Sequence, residues 1–146
     1  MANVYEVKDK VSRYLTKELN GVTIDSDGDF SFRIDSARVF VDVNEWAETH
    51  VIVRIFAIVL EGVALTQELK DYVLFEGSSY YFGTLQLETR DDGLVNIIFR
   101  HNILGDFLDE EELMIACQAV GGFAEEEDDV LQQRFGGQRF HEDDDD

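Results

Sequence analysis

A run of ten residues from Val51 to Leu60 constrains the fold more than any other part of the chain, because only Arg54 in it is polar. A membrane-spanning helix needs about 20 apolar residues, so the run is too short to cross a bilayer. Valine and isoleucine predominate in it, which favours a strand over a helix. We therefore predict a long central strand that is covered on both faces.

Shorter segments on both sides of this run predict further strands of the same sheet. Apolar residues recur at every second position, as in a half-buried strand, in Phe30–Ile34, Val39–Val43, Leu85–Leu87 and Val95–Phe99. The last two segments are joined by Arg90–Gly93, an Asp-Gly loop that is typical of a β-hairpin. Because the links between consecutive strands are short, we predict a mostly antiparallel, five-stranded sheet.

Three amphipathic segments predict helices before, between and after the strands. The first has apolar residues at helical spacing over residues 4–15 and is expected to end near Gly21. Thr66 and Asp109 are candidate N-caps of the second and third helices. Gly121–Gly122 is expected to weaken or kink the third. The order helix, three strands, helix, two strands, helix predicts an α+β fold.

The charge balance restricts the classes of partner. The chain has 12 basic and 32 acidic residues, a formal net charge of -20, which argues against nucleic acid and anionic membrane surfaces as partners. We expect one domain over residues 1–137 and a disordered acidic tail over residues 138–146. The first residues do not resemble a secretory signal, so a cytoplasmic location is expected.

One acidic segment, Asp25–Asp29, places carboxylates at alternate positions, as a calcium-binding loop does. The match fails at Phe30, where such a loop needs glycine, and at Ser36, where it needs a bidentate glutamate. A polar turn that leads into the first strand is therefore the favoured interpretation, and a metal-dependent protein is a remote alternative.

The remaining candidate residues do not form an active site in the sequence pattern. His50 and His101 lack metal-ligand spacing, and Cys117 lies on an apolar helix stripe with no histidine within a turn. Arg54 is expected in a structural ion pair, and Trp46 in the core rather than in an interface. We predict no enzymatic activity, no catalytic residue, no metal site and no cofactor.

The chain resembles the type III secretion chaperone-like fold, and within it the YbjN-like branch found in bacteria. The resemblance covers about residues 1–137 and is most specific in Phe99–Leu113, a strand end, a short link and an acidic helix cap. It also includes Leu60–Val63 with Leu69 and Tyr72, and it ends at Phe135–Gly137.

This resemblance implies a non-enzymatic, chaperone-like domain that binds a peptide or protein client and forms a homodimer. A regulatory adaptor that binds one folded partner, in stress or signalling, is the alternative. The client surface implied by the resemblance comprises Val4, Val7, Val11, Phe30 and Phe32. The implied dimer interface comprises Leu69, Tyr72, Val73, Phe75, Tyr80, Tyr81 and Phe82. The sequence leaves open which of these side chains are exposed and which belong to the core.

Overall fold

The computed structural model describes residues 3–140 of the 146-residue chain. The elements are α1 (Val4–Glu18), β1 (Thr23–Ile24), β2 (Phe30–Ile34), β3 (Ala37–Trp46), β4 (His50–Val63), α2 (Gln67–Glu76), β5 (Thr84–Thr89), β6 (Val95–Leu104), α3 (Glu110–Phe135) and β7 (Gln138–Arg139). This order confirms the predicted α+β fold and its succession of helices and strands. No helix within the described range is both long and apolar enough to span a membrane.

Within residues 3–140 the strands form one antiparallel sheet of seven strands rather than the predicted five. The strand order is β1-β2-β3-β4-β6-β5, and β7 pairs with β4 at Leu60 and Glu61. The two additional strands, β1 and β7, have two residues each, which is too short for an alternating pattern to appear. β4 lies between β3 and β6 and is the longest strand, as its apolar run predicted.

The predicted tail begins within the described residues but lies mostly outside them. Gln138 and Arg139 pair with β4, whereas residues 141–146 are not described. The division into a domain of residues 1–137 and a tail of residues 138–146 therefore stays a prediction.

The prediction that β4 is covered on both faces is wrong. Val53, Ile55 and Ala57 are buried, but the side chains between them, such as Arg54 and Phe56, are only half-buried. All three helices contribute their buried side chains to the same core as the inner face of the sheet. The continuous apolar run thus marks a strand whose outer face is shielded largely by long side chains of the sheet itself.

The caps predicted for α2 and α3 are confirmed, and they show why these helices begin where they do. The Thr66 hydroxyl accepts a hydrogen bond from the backbone N–H of Leu69 at 3.1 Å, and Asp109 accepts one from Glu112 at 2.7 Å. Each side chain satisfies a backbone donor that has no partner within its helix.

α3 continues without interruption through Gly121–Gly122 to Phe135. A Cβ atom on Gly121 would lie 2.5 Å from Cβ of Ile34, so glycine is what allows the helix to lie this close to β2. A Cβ atom on Gly122 would meet nothing within 4 Å. Packing therefore requires glycine at position 121, whereas it would tolerate a larger residue at position 122.

We predict opposite effects for alanine at these two neighbouring positions. Gly121→Ala should lower the free energy of unfolding by about 1–3 kcal/mol, because the added methyl group overlaps Ile34. Gly122→Ala should raise it by about 0.5–1 kcal/mol, because alanine has the higher helix propensity and the site is open. Urea unfolding followed by circular dichroism measures both. Equal effects would contradict the packing described here.

Candidate interaction surfaces

Four large apolar side chains of α2 and of the segment before β5 are exposed, and we call this set the aromatic surface, defined as Leu74, Phe75, Tyr81 and Phe82. Phe75 is 71% exposed and Tyr81 is 100% exposed. An exposed apolar patch of this kind typically marks a protein-binding site.

A cluster of packed rings lies beside the aromatic surface, in which Tyr80 is half-buried and Phe99 and Phe123 are buried. The Tyr80 ring lies edge-on to Phe99 and Phe123, with centroids 5.5 and 4.9 Å away, and Phe99 and Phe123 stack at 3.9 Å. Burial, and then the side chain of Tyr72, raises the pKa of Tyr80 to about 12. Tyr80 is therefore a neutral packing residue at physiological pH.

Gly83 fixes the path of the chain beside these rings. Its φ is 106°, and a Cβ atom there would lie 2.5 Å from the Phe99 ring. The backbone N–H of Leu85 donates to the carbonyl of Gly77 at 2.8 Å, which closes the connection between α2 and β5. The exposed Tyr81 and Phe82 thus extend from a segment whose backbone conformation is fixed by these contacts.

A groove of about 460 Å³ separates this segment from α3. Its walls include Tyr80–Phe82 on one side and Ala119, Gly122 and Phe123 on the other. Glu126 and Glu127 also line it, so the groove combines an apolar floor with an acidic edge. It is wide enough to accept a large side chain from another polypeptide.

The residues of the predicted dimer interface fall into three layers. Leu69 is fully buried and belongs to the core. Tyr72, Val73 and Tyr80 are half-buried against that core, whereas the remaining three, on the aromatic surface, are exposed. Leu74 escaped the sequence analysis, because a leucine in an amphipathic helix is indistinguishable from a core residue without the structure.

The predicted client residues are mostly buried. Val7, Val11, Phe30 and Phe32 belong to the core in which α1 lies against the sheet. The structure does not test their role in client binding. As core residues, however, they do not supply the exposed apolar surface on which that prediction depended.

Val4 is the exception, because it is half-buried and lines a recess of about 260 Å³ at one end of the sheet. His50 and Val51 line the same recess, together with the acidic Glu45 and Glu48. The recess therefore joins the start of α1 to the turn between β3 and β4.

Asp106 holds this end of the sheet together. Its carboxylate accepts a hydrogen bond from the backbone N–H of Val51 at 2.9 Å and lies 3.2 Å from Nδ1 of His50. The hydrogen bond from Val51 is the main reason that the pKa of Asp106 is lowered. Asp106, in the link that precedes α3, thereby fixes His50 and Val51, the two residues of β4 that line the recess.

Trp46 lies beside His50, with ring centroids 5.9 Å apart, and is 56% exposed. The prediction that it packs in the core is wrong. It is the last residue of β3, and the chain then turns through Ala47 and Glu48, both with positive φ. At this position the strand has passed the inner-face core residues, so the indole is left at the surface.

The outer face of the sheet, which we call the open face, carries a row of rings and guanidinium groups. Phe40 and Phe56 stack at 5.2 Å, and Arg100 lies over the Phe56 ring at 5.0 Å. Arg54 donates two hydrogen bonds to Asp42, at 2.7 and 2.9 Å, which confirms the structural ion pair predicted for it.

The acidic segment Asp25–Asp29 forms the predicted turn. The Asp25 carboxylate accepts hydrogen bonds from the backbone N–H groups of Asp27 and Asp29 at 2.8 and 3.0 Å, and Gly28 has a φ of 84°. Carboxylate oxygens of the three aspartates lie within 4.8 Å of one another. Burial, and then the Asp25 charge, raises the pKa of Asp29.

Cys117 is buried on α3, as predicted, and burial raises the pKa of its thiol to about 12. His101 is half-buried, and desolvation lowers its pKa. The thiol is therefore protonated at physiological pH and poorly suited to act as a nucleophile.

Comparisons with known proteins agree on a family and a fold. The sequence profile of TY-Chap1, described as T3SS (YopN, CesT) and YbjN peptide-binding chaperone 1, matches residues 5–143. The crystal structure of YbjN from E. coli is similar with a TM-score of 0.64 and 9% identity, over 88% of this chain and 93% of that one. The ExsC–ExsE complex contains a chain that is similar with a TM-score of 0.63 and 18% identity, over 90% of this chain and 97% of that one. No curated protein sequence matches the chain.

We predict that neutralising Asp29 stabilises the protein in a pH-dependent way. Because the folded-state pKa of Asp29 is raised, ionisation costs stability as pH rises above the ordinary aspartate value of 3.8. Asp29→Asn should therefore raise the melting temperature at pH 7, and the gain should disappear below that value.

Thermal unfolding at a series of pH values measures this difference. Asp91→Asn, which removes the same charge from an exposed hairpin position, is the matched control and should give a smaller gain. A gain from Asp29→Asn that persists at low pH would contradict the electrostatic explanation.

Proposed function

The chain belongs to the TY-Chap1 family of peptide-binding chaperones, and from this membership we propose that it forms a homodimer that holds an extended segment of a client protein. The ExsC–ExsE complex, in which a chain of the same fold is found together with another protein, supports the assignment of a protein partner. In this proposal the chain binds its client without chemical change.

The aromatic surface is the single observation that carries the proposal. A chain with a net charge of -20 repels its own copies over most of its surface, so association requires an apolar contact that outweighs this repulsion. Tyr81 and Phe82 offer such a contact at the groove along α3, and Phe75 on α2 adds further exposed apolar area. In a two-fold dimer the same patch is used by both copies, so exposed rings of one copy can enter the groove of the other.

The recess beside Val4 supplies a second, separate surface for the client. Its apolar part suits a hydrophobic side chain, and Glu45 and Glu48 suit neighbouring basic residues in the same segment. The exposed Trp46 ring next to His50 adds an aromatic contact of the kind that is common in interfaces. We therefore propose a client segment that combines apolar and basic residues.

The titration behaviour of the buried groups supports binding without catalysis. The Cys117 thiol is buried, and its pKa of about 12 leaves it protonated in the physiological range. Desolvation, which lowers the pKa of His101, keeps that ring neutral, next to the apolar Phe82 ring at 5.5 Å. Neither residue has the environment of an activated nucleophile or base.

We predict that a negative charge on the aromatic surface separates the dimer. Phe75→Asp combined with Tyr81→Asp should convert a species of twice 16.7 kDa into a monomer, because two desolvated carboxylates would enter an apolar contact. Native mass spectrometry over a range of protein concentrations measures this change.

Phe107→Asp is the control, because Phe107 is 81% exposed in the link before α3, and its neighbour Asp106 binds the end of β4 that is opposite to α2. It should leave the dimer intact, and circular dichroism should show that all variants are folded. A wild-type chain that is monomeric at every concentration would overturn the dimer proposal while leaving client binding open.

We predict that a peptide selected from a random library on the immobilised protein binds at the Val4 recess. Trp46 is the single tryptophan, so its emission should shift to shorter wavelength when the bound peptide covers it. Val4→Asp should weaken binding by about tenfold, a change of about 1.4 kcal/mol.

Tyr5→Asp places the same charge one residue away on an exposed position of α1 and serves as the control, with little expected effect. Peptide binding that changes neither Trp46 emission nor affinity in Val4→Asp would remove the recess from the proposal. A chain that captures a folded partner but no peptide would favour the regulatory adaptor instead.

A further inference from the structure

Arginines are concentrated on the open face, although the chain as a whole is strongly acidic. Arg33 and Arg38 lie directly opposite each other on β2 and β3, and Arg100 lies two strands from Phe40 in the register Phe40–Phe56–Arg100. The face thus carries three guanidinium groups around the Phe40–Phe56 stack.

The environment of Arg100 suggests that a hydrogen-bond acceptor binds to this face. Its Nε atom is buried and has no hydrogen-bond partner among residues 3–140, while its guanidinium group lies over the Phe56 ring. A buried donor without a partner carries a desolvation cost that an anionic acceptor would remove. Arg54 on the same face differs, because Asp42 already holds it through two hydrogen bonds.

The end of the described chain leads onto this face. β7 pairs with β4, and the next residue, Phe140, places its ring edge-on to Phe40 at 5.8 Å. Arg38 lies two residues from Phe40 on the same side of β3, about 7 Å away, and Arg100 lies about 10 Å away across two strand spacings. The described part of the chain thus ends at Phe140, between Arg38 and Arg100 on the open face.

The six residues that follow, 141–146, have the sequence HEDDDD and contain five carboxylates. Fully extended, six residues span about 20 Å, enough to pass all three arginines. Carboxylates pair with guanidinium groups through short, charge-assisted hydrogen bonds that match in geometry. The length of this segment, the position at which it starts and its negative charge therefore all suit it to bind the arginines of the open face.

We propose that the acidic residues Glu142–Asp146 dock on the open face of their own chain, where their carboxylates pair with Arg33, Arg38 and Arg100 and Phe140 acts as the anchor. This contact goes beyond the proposed function, because it uses neither the aromatic surface nor the Val4 recess. It assigns the open face to an intramolecular partner rather than to a client or a second copy.

Paramagnetic relaxation tests the contact in the full chain. Asp146→Cys provides a site for a nitroxide label, since the native Cys117 is buried and its thiol is protonated. At low ionic strength the Nε–Hε signals of Arg33, Arg38 and Arg100 should lose more than half of their intensity. At about 0.5 M NaCl the signals should recover, because added salt screens the ion pairs.

Two variants, a test and a control, examine whether the arginines of the open face are required. Arg38→Gln combined with Arg100→Gln should abolish the intensity loss at Arg33, whereas Arg13→Gln, at an exposed pair with Asp9 on α1, should leave it unchanged. Circular dichroism verifies that both variants fold. The same measurement in the Phe75→Asp/Tyr81→Asp background separates this contact from dimer formation.

The proposal is overturned if the three arginine signals keep their intensity at low salt, or if residues of the helices lose as much as the open face does. A mixed sample supplies the second criterion, in which one set of chains carries the nitroxide and the other set carries only the isotopes that NMR detects. If the arginine signals of the isotope-enriched chains lose intensity in this mixture, the tail binds a second copy and the proposal is overturned.

Discussion

The packing of α3 against the inner face of the sheet is the contact on which the other surfaces depend. Gly121 allows the helix to approach β2 at Ile34, and the buried residues of α1 and α2 enter the same core. Because all helices of the described residues pack on the inner side, none of them covers the outer face of the sheet. Apolar side chains at the end of α2 and at the start of α1 are likewise left at least partly exposed, because no other described element packs on them.

Much of this fold could be predicted because periodicity and capping act locally. The alternation in Phe30–Ile34 and the cap residues Thr66 and Asp109 are read directly from neighbouring positions, and the structure confirms all three. Which side of a strand is covered depends instead on contacts between distant segments. For that reason the two-sided burial of β4 and the burial of Trp46 were predicted wrongly.

The candidate site was harder to predict, because an apolar residue has the same sequence pattern in a core as in an interface. Leu69 and Phe75 lie on one short helix, yet the first is fully buried and the second is mostly exposed. Phe32 and Val4 differ in the same way within the predicted client surface. The resemblance to a chaperone family names segments of the chain, and only the packed structure separates the residues of each segment by exposure.

The tight path of the chain at Gly83 has a consequence for the affinity of the association that we propose. A flexible segment that carried Tyr81 and Phe82 would lose conformational entropy on binding, and the affinity would fall accordingly. Here Gly83 passes against Phe99 and Leu85 bonds to Gly77, so that entropy is already lost when the chain folds. The backbone that carries the two rings is therefore preorganised for the contact that we propose, and only the side-chain rotamers of Tyr81 and Phe82 remain to be ordered on binding.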